Sequence, residues 1–423
     1  MFVFFTTYTI NSICNQLLTP MRKTIITLLL ALISGSSFSQ ALSKADFMED
    51  LEFLKKNLPL KHTNLFAKID RSQFENKVDQ VSMRSNGFDR NRFIVELCML
   101  TKSIGDEHTF IEVDFTKVLP IQFELFKEGL FVVGIDSINA LVLNSKLESI
   151  NGHSLSEIRA RFKEIIQDEN PSYFDDRLLQ QLNNPVLLNG LALIDSDSTA
   201  TFTLSNPSGQ TQKISLKPVA GKDVSKLNLA RSGGNLLSHK KRSNYWFDYN
   251  ADKKILYFNY SECREHQQYS FAKFSEELFP IIDQQKPEKI ILDLRYNGGG
   301  NSAILNPFIE KISASYLNKK GKFFVLIGKK TFSSAVMNAV ELKKNSNAIF
   351  IGEATSGNIN HYGEVRGFSL PKSKIVIAYS TKYWERWKGK KGPLKPDTEL
   401  KYSIKNYIAG KDEALIEVYK NDR

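Results

Sequence analysis

Two predicted strand-to-helix corners contain the residue types that catalysis most often needs. The first corner covers residues 290–301, where a buried strand ends in three consecutive glycines, residues 298–300. Glycines let backbone N–H groups approach a ligand closely, and amides beside a helix N-terminus can stabilise a developing negative charge. The alternative is a flexible turn, and the glycines alone do not separate the two. A phosphate loop is disfavoured, because neither GxGxxG nor GxxxxGK[ST] is present.

The second corner follows the apolar run 323–327 and reads Gly-Lys-Lys-Thr-Phe-Ser-Ser-Ala over 328–335. A serine at a strand–turn–helix junction exposes its hydroxyl near the positive end of a helix dipole, which suits a nucleophile. The competing interpretation is structural, since a serine that precedes a helix usually caps it. Ser333 taken alone is therefore ambiguous.

His108 is a candidate general base that follows a predicted helix ending at Gly105. A single histidine in a polar turn is more often structural than catalytic. None of the six histidines has a metal-ligand spacing such as HExxH, so no metal site is predicted. His108 and Ser333 are far apart in sequence, and only the fold could bring them together.

Four motifs in this order resemble those of the tail-specific, tricorn-type serine peptidases. They are Gly-Asp-Glu-His-Thr (105–109), Asp-Leu-Arg-Tyr-Asn-Gly-Gly-Gly (293–300), Thr-Phe-Ser-Ser-Ala (331–335) and Gly-Glu-Ala-Thr-Ser-Gly (352–357), with Pro396-Asp397 beyond them. No single motif is decisive, but the ordered set is specific. The resemblance covers nearly all of the chain that would remain after removal of an export signal.

The resemblance implies a role for each matching residue. Ser333 matches the family nucleophile, and His108 matches the histidine of the tricorn-type branch. The N–H groups of Ser334 and of Gly298 or Gly299 would line the oxyanion hole. On this basis the Ser334 hydroxyl itself is predicted to matter little.

The resemblance also addresses the other polar groups of the site. A second branch of the family uses a Ser–Lys dyad, with the lysine directly after the Gly-Glu-x-Thr-x-Gly motif. That position is Asn358 here, so a lysine base is disfavoured. In the tricorn-type branch a downstream glutamate orients the histidine, and Glu385 is the candidate for this role. The resemblance implies neither a metal nor a cofactor.

Hydrophobic periodicity predicts the elements that must position these residues. Apolar residues at helical spacing predict helices over 47–58 and 93–104. Short apolar runs between residues 119 and 218 predict a small β domain with one lateral helix that begins near Ser154. The predicted strands of this domain include 121–126, 130–133, 140–143 and 200–204.

From residue 254 onward, apolar strand runs alternate with helical patterns. Such alternation predicts a largely parallel sheet covered by helices on both faces. The predicted strands are 255–260, 290–294, 323–327, 349–351 and 375–379, and the predicted helices are 271–282, 303–312 and 335–343.

We therefore predict an α/β multidomain protein, with domain types taken from the resemblance. A helical N-terminal segment (40–116) carries the histidine and precedes a PDZ-like β domain (117–218). A linker (219–243), rich in Gly, Lys and Ser, leads to an α/β catalytic domain of the crotonase or ClpP-like kind (244–423).

The N-terminus has the pattern of an export signal. A basic start at Met21-Arg22-Lys23 precedes the apolar run 25–33, and Ser37 and Ser39 form a cleavage pattern, so residues 1–39 are predicted to be removed. Residues 1–20 lie upstream of a better start at Met21. The apolar run is too short to span a bilayer. We predict export to the periplasm or the exterior of a Gram-negative bacterium, with no membrane span after cleavage.

Composition excludes several classes of protein. With 42% hydrophobic and 24% charged residues, the chain has enough apolar material for folded cores and is not a disordered protein. The net charge of +11 is spread in short clusters such as Lys329-Lys330, and no nucleic-acid-binding module accompanies it. Cys98 and Cys263 have no spacing that demands a disulfide.

The sequence thus predicts an exported serine endopeptidase that works through an acyl-enzyme, on a polypeptide substrate and with a preference for chain termini. Two alternatives stay open. One is a catalytically inactive pseudo-protease that binds peptides, and the other is a crotonase-like hydrolase of esters or thioesters.

Overall fold

The computed structural model describes residues 42–113, 115–168, 170–234, 236–240 and 243–420. The predicted export signal, residues 1–39, lies outside these ranges. Within them, no helix combines the length and the apolar composition needed to cross a lipid bilayer.

The N-terminal part of the described chain is helical, as the periodicity predicts. Helices α1 (Lys44–Lys61), α2 (Arg71–Arg84) and α3 (Arg90–Ile104) each start at a residue whose side chain accepts a hydrogen bond from a first-turn amide, namely Ser43, Asp70 and Asp89. Helix α3 ends at Gly105, which has φ 76°, a left-handed conformation that glycine adopts without a Cβ penalty. This turn directs the chain into the segment that carries His108.

The remaining helices and the strands make up the rest of the described chain. The further helices are α4 (Leu155–Lys163), α5 (Pro171–Gln181), α6 (Pro185–Gly190), α7 (Phe271–Gln285), α8 (Asn306–Ser313), α9 (Ser334–Asn345), α10 (Ile404–Ile408) and α11 (Glu413–Lys420). The strands are β1 (Phe110–Glu112), β2 (Lys117–Val118), β3 (Ile121–Phe126), β4 (Gly129–Asp136), β5 (Lys146–Ile150), β6 (His153–Ser154), β7 (Ala200–Ser205), β8 (Thr211–Leu216), β9 (Val219–Ala220), β10 (Leu229–Arg231), β11 (Tyr245–Asn250), β12 (Ile255–Tyr260), β13 (Lys289–Asp293), β14 (Phe323–Ile327), β15 (Ile349–Gly352), β16 (His361–Ser369), β17 (Val376–Trp384) and β18 (Thr398–Glu399).

The middle of the chain forms an antiparallel sheet in the order β10-β4-β5-β7-β8, with β3 paired to β4 and β6 paired to β5. Helix α4 begins after Ser154, as predicted, and buries Ile158 and Phe162. The predicted strand 140–143 is wrong, because Ser137–Val142 forms a 3-10 turn that the Asp136 side chain caps. Strand β10 lies in the segment predicted as a linker and pairs with β4.

A second sheet has the order β11-β12-β13-β14-β15-β18, and its strands are parallel except for β11. One face packs on α7, α8 and α9, and the other packs on α11. All five residues of β13 and of β14 are buried. The prediction of a mainly parallel sheet with both faces covered is confirmed, and the molecule is a mixed α/β protein with several sheets.

A third sheet, in the order β1-β17-β16, joins the N-terminal segment to the C-terminal half of the chain. The run 375–379 is a strand, but its predicted place in the parallel sheet is wrong. It begins β17, which pairs antiparallel with β16 over a short connection without the helix that a parallel crossover requires. Strand β1 follows His108 by one residue and pairs with β17, so this sheet brings the histidine segment against the C-terminal half of the chain.

Candidate active site

Ser333 occupies a strained corner between β14 and α9. Its backbone has φ 51° and ψ −122°, and its side chain makes no capping hydrogen bond to the helix that starts at Ser334. A non-glycine residue with such angles costs about 1–3 kcal/mol and persists only where its surroundings hold it. Here the Phe332 amide donates to the Asn297 carbonyl at 3.0 Å, and the Thr331 hydroxyl donates to the Leu294 carbonyl at 2.8 Å. The interpretation of Ser333 as an ordinary N-cap is therefore excluded.

The glycine segment lies directly against this corner. Gly299 has φ 106°, and a Cβ at this position would lie 2.9 Å from Ser333 Cβ and 3.0 Å from Ser334 N. The Gly299 amide donates to Asn297 Oδ1 at 2.9 Å. The Ser334 hydroxyl donates to the Gly300 carbonyl at 2.6 Å. This hydroxyl fastens helix α9 to the glycine segment, a structural role that the sequence argument missed.

The acidic and basic residues that precede the glycines are structural. Arg295 is buried and binds Asp293 at 2.6 Å and Asp412 at 2.8 Å. Two carboxylates compensate the one buried guanidinium, and burial of the group without them would be strongly unfavourable. The ion pairs fix the end of β13 and hence the start of the glycine segment.

Asp106 fixes the backbone of the histidine segment. Its Oδ1 accepts from the His108 amide at 2.9 Å, and its Oδ2 accepts from the hydroxyls of Thr109 and Ser380, each at 2.6 Å. The same Oδ2 lies 3.0 Å from His62 Nε2. Burial acts to raise the pKa of Asp106, but the hydrogen bonds from His62, Ser380 and Thr109 outweigh it and lower the pKa below its usual range.

The imidazole of His108 lies between the rings of Phe332, the residue before Ser333, and His361. It is stacked on Phe332 at a centroid distance of 4.5 Å and on His361 at 5.1 Å. His108 is only 3% exposed, and neither of its ring nitrogens has a hydrogen-bond partner among the described residues. Burial, with a smaller effect of His361, lowers the pKa of His108 well below its usual range. The ring is therefore neutral, as a general base must be.

Glu107 faces the segment that follows the Gly-Glu-Ala-Thr-Ser-Gly motif. Its two carboxylate oxygens accept from the backbone amide of Asn358 at 3.0 Å and from the Asn358 side-chain amide at 3.1 Å. Burial raises the pKa of Glu107 to about 8, although the hydrogen bond from the Asn358 amide opposes this. The position that the resemblance associates with a lysine thus holds a hydrogen-bond donor to the neighbour of His108.

Glu385 is exposed and lies one residue beyond the end of β17. Its neighbour Trp384 pairs with His361, which stacks on His108. The structure does not bring Glu385 into hydrogen-bond contact with the His108 ring. Its role as the orienting acid stays a prediction.

Sequence reasoning missed several residues of the site. Phe332 and Asp106 lie within motifs that were recognised, but their contacts could not be read from the motifs. His361 carries no sequence signal, because its contact with His108 depends on the pairing of β16 with β17. Among the residues that the structure describes, no group of three or more His, Cys, Asp or Glu side chains is arranged to hold a metal ion.

An open groove with a volume of about 1140 Å³ borders the two corners. Tyr296 and Lys330, which precede the glycine segment and the Ser333 turn, contribute to its wall. The opposite wall includes residues of β3 and β4, so the groove runs between the antiparallel and the parallel sheets. Pockets for small ligands typically measure about 300–1,000 Å³, and this groove is larger and open.

Neither a protein-family profile nor a curated protein matches the chain. Solved structures do match. Mature CPAF complexed with lactacystin is 12% identical, with 90% of this chain and 99% of that chain covered and a TM-score of 0.63. A CPAF point mutant is 13% identical, covers 89% and 97%, and has a TM-score of 0.64.

The photosystem II D1 C-terminal processing protease also aligns, with 11% identity over 88% of this chain and 98% of that chain and a TM-score of 0.40. Over nearly its whole length, this chain is therefore similar in fold to mature CPAF.

Proposed function

We propose that the protein is an exported serine endopeptidase in which Ser333 is the nucleophile and His108 is the general base. The observation that carries the proposal is the strained, non-capping conformation of Ser333 in the same turn as Phe332, whose ring contacts His108. Phe332, which directly precedes Ser333, stacks on the imidazole at 4.5 Å. A serine held at an energetic cost, in a turn that packs on a buried imidazole, supports nucleophilic catalysis.

In the proposed mechanism, Ser333 Oγ attacks the carbonyl carbon of the scissile peptide while His108 accepts the hydroxyl proton. The tetrahedral intermediate collapses when the C–N bond breaks, and His108 returns the proton to the leaving amine. A water molecule, deprotonated by His108, then hydrolyses the acyl-enzyme and releases Ser333. The ring nitrogens of His108 make no hydrogen bond to the described residues, Ser333 included, and catalytic hydrogen bonds often tighten only in the substrate complex.

The oxyanion hole in this proposal is formed by the backbone amides of Ser334 and Gly298. Ser334 is the first residue of helix α9, where the helix dipole favours negative charge. Gly298 is favoured over Gly299, because the Gly299 amide already donates to Asn297. Removal of one donor from such a hole typically costs about 2.7–4 kcal/mol of transition-state stabilisation.

The groove supports a polypeptide substrate, since it is large and open and reaches Tyr296 and Lys330, which shortly precede Gly298 and Ser333 in the chain. We assign substrate capture to the region 117–218, as a PDZ-like domain that recognises a chain terminus. Its sheet contributes β3 and β4 to the groove wall, which supports this assignment. Export through the signal at 1–39 and orientation of His108 by Glu385 belong to the same proposal.

The test is covalent labelling of Ser333 by a fluorophosphonate, combined with hydrolysis of fluorescein-labelled casein. Wild-type protein should be labelled at Ser333 and should cleave casein, and Ser333→Ala should lose both activities while its circular dichroism spectrum stays unchanged. Casein binding without labelling or turnover would indicate a pseudo-protease. Labelling with hydrolysis of thioesters but not of peptides would indicate the crotonase-like alternative.

A further inference from the structure

We infer that Asn358 is the positioning residue of the proposed catalytic base, through simultaneous contacts with Glu107 and His361. Glu107 adjoins His108 in the chain, and His361 stacks on its ring. The inference rests on the proposed function and adds to it the residue that sets the place of the imidazole.

All the polar groups of the Asn358 backbone and its side-chain amide nitrogen serve these contacts. The backbone amide donates to Glu107 Oε1 at 3.0 Å, and Nδ2 donates to Glu107 Oε2 at 3.1 Å. The backbone carbonyl accepts from His361 Nδ1 at 2.8 Å. One residue therefore binds the chain neighbour of His108 and also the ring that covers one face of its imidazole.

The segment before Asn358 is anchored on the nucleophile side. The amide and the hydroxyl of Ser356 both donate to the Thr331 carbonyl, at 3.1 and 3.2 Å. A Cβ on Gly357 would lie 3.1 Å from Ser333 N, so this glycine lets the segment pass close to the nucleophile. Asn170 holds the same segment from the other side by donating to the carbonyls of Thr355 and Ser356.

We therefore expect the position of the imidazole relative to the Ser333 hydroxyl to depend on the Glu107–Asn358 contact. The ring nitrogens of His108 have no partner among the described residues, so the ring is placed by stacking and by its own backbone. Glu107 is only 8% exposed, and loss of the Asn358 side-chain donor would leave one of its buried carboxyl oxygens unsatisfied, which favours displacement of the side chain. A displacement of about 1 Å at such a site can cost about 100-fold in rate.

The experiment exchanges the amide and carboxyl groups between positions 358 and 107. Asn358→Asp replaces the side-chain donor to Glu107 Oε2 with an acceptor and should lower kcat by about 100-fold. Glu107→Gln in the same molecule restores a donor–acceptor pair, because the glutamine Nε2 can donate to the new aspartate. We expect the double variant to recover kcat to within about tenfold of wild type, with KM changed by less than about threefold throughout.

Glu112 provides the matched control, because it is an exposed glutamate on strand β1 of the same segment. Glu112→Gln combined with Asn358→Asp should not restore kcat. Three results would each overturn the inference: unchanged kcat in Asn358→Asp, failure of Glu107→Gln to restore it, or an effect on KM alone. If Asn358→Asp does not fold, the double variant with Glu107→Gln is measured instead. A double variant that folds but keeps a low kcat would mean that the contact between residues 107 and 358 is only structural, and this result would also overturn the inference.

Labelling of Ser333 separates this inference from the proposed function. Wild-type protein that is neither labelled nor active contradicts both. If wild-type protein is labelled and cleaves casein but the double variant does not recover kcat, only the role of Asn358 is contradicted.

Discussion

The ring of Phe332 lies face to face with the imidazole of His108, with the two planes inclined by only 19°. Phe332 immediately precedes Ser333, so the backbone that carries the proposed nucleophile also carries the surface on which the proposed base rests. Arg177 covers Phe332 as well, with its guanidinium carbon 5.0 Å from the ring centroid. The orientation of the base is thus coupled to the serine corner through packing.

This stack predicts that Phe332→Leu slows catalysis more than it weakens substrate binding. Leucine keeps most of the volume but offers no flat surface, so the imidazole should sample other orientations, and kcat should fall by about tenfold with little change in KM. Steady-state kinetics on labelled casein measures both constants. Phe308→Leu, in the core between α8 and the parallel sheet, is the control and should lower stability but not kcat. Equal losses of kcat in both variants would contradict the prediction.

The strain at Ser333 predicts a difference in stability between two inactive variants. Ser333→Gly and Ser333→Ala both remove the hydroxyl, but only glycine adopts φ 51° and ψ −122° without steric cost. We expect the free energy of unfolding of Ser333→Gly to exceed that of Ser333→Ala by about 1 kcal/mol, after allowance for the greater unfolded-state entropy of glycine. Urea denaturation measures the difference. Equal stability would mean that the corner is not strained.

The close approach of Gly299 to the serine corner predicts that Gly299→Ala is severe. The new methyl group would contact Ser333 Cβ and Ser334 N and would also force alanine into φ 106°. Gly209→Ala is the matched control, because Gly209 has φ 83° with open space around its Cβ position. We expect Gly209→Ala to cost about 1 kcal/mol of stability and no activity, and Gly299→Ala to cost about 3 kcal/mol and most of the activity. Similar losses of stability and activity in the two variants would show that the positive φ, and not the contact with Ser333 and Ser334, determines the effect of Gly299→Ala.

The burial of His108 predicts two pH effects. Because its folded-state pKa lies below the unfolded value of about 6.5, the unfolded state binds more protons below that pH. This group therefore contributes a loss of stability as pH falls below about 6.5, and His108→Asn should show a shallower fall between about pH 7 and 4 in denaturation experiments. The acid limb of kcat/KM should likewise lie below about pH 6.5. An acid limb at or above that value would contradict a buried, neutral base.

The sequence by itself determined the features that depend on local pattern. The strands 121–126, 255–260 and 323–327 coincide with β3, β12 and β14, because alternating or continuous apolar runs bounded by turns depend only on neighbouring residues. The order of the motifs also identified the two corners and the histidine segment before any geometry was known.

Tertiary structure decided the relationships between distant segments. The run 375–379 joined an antiparallel sheet with β1 and β16 because pairing partners are chosen by connection length and packing, which a local pattern does not encode. The same pairing brought His361 onto His108 and set Asn358 against Glu107. These contacts link residues that are hundreds of positions apart, and their energies come from the burial of rings and carboxylates in a shared core, which exists only once the whole chain has folded.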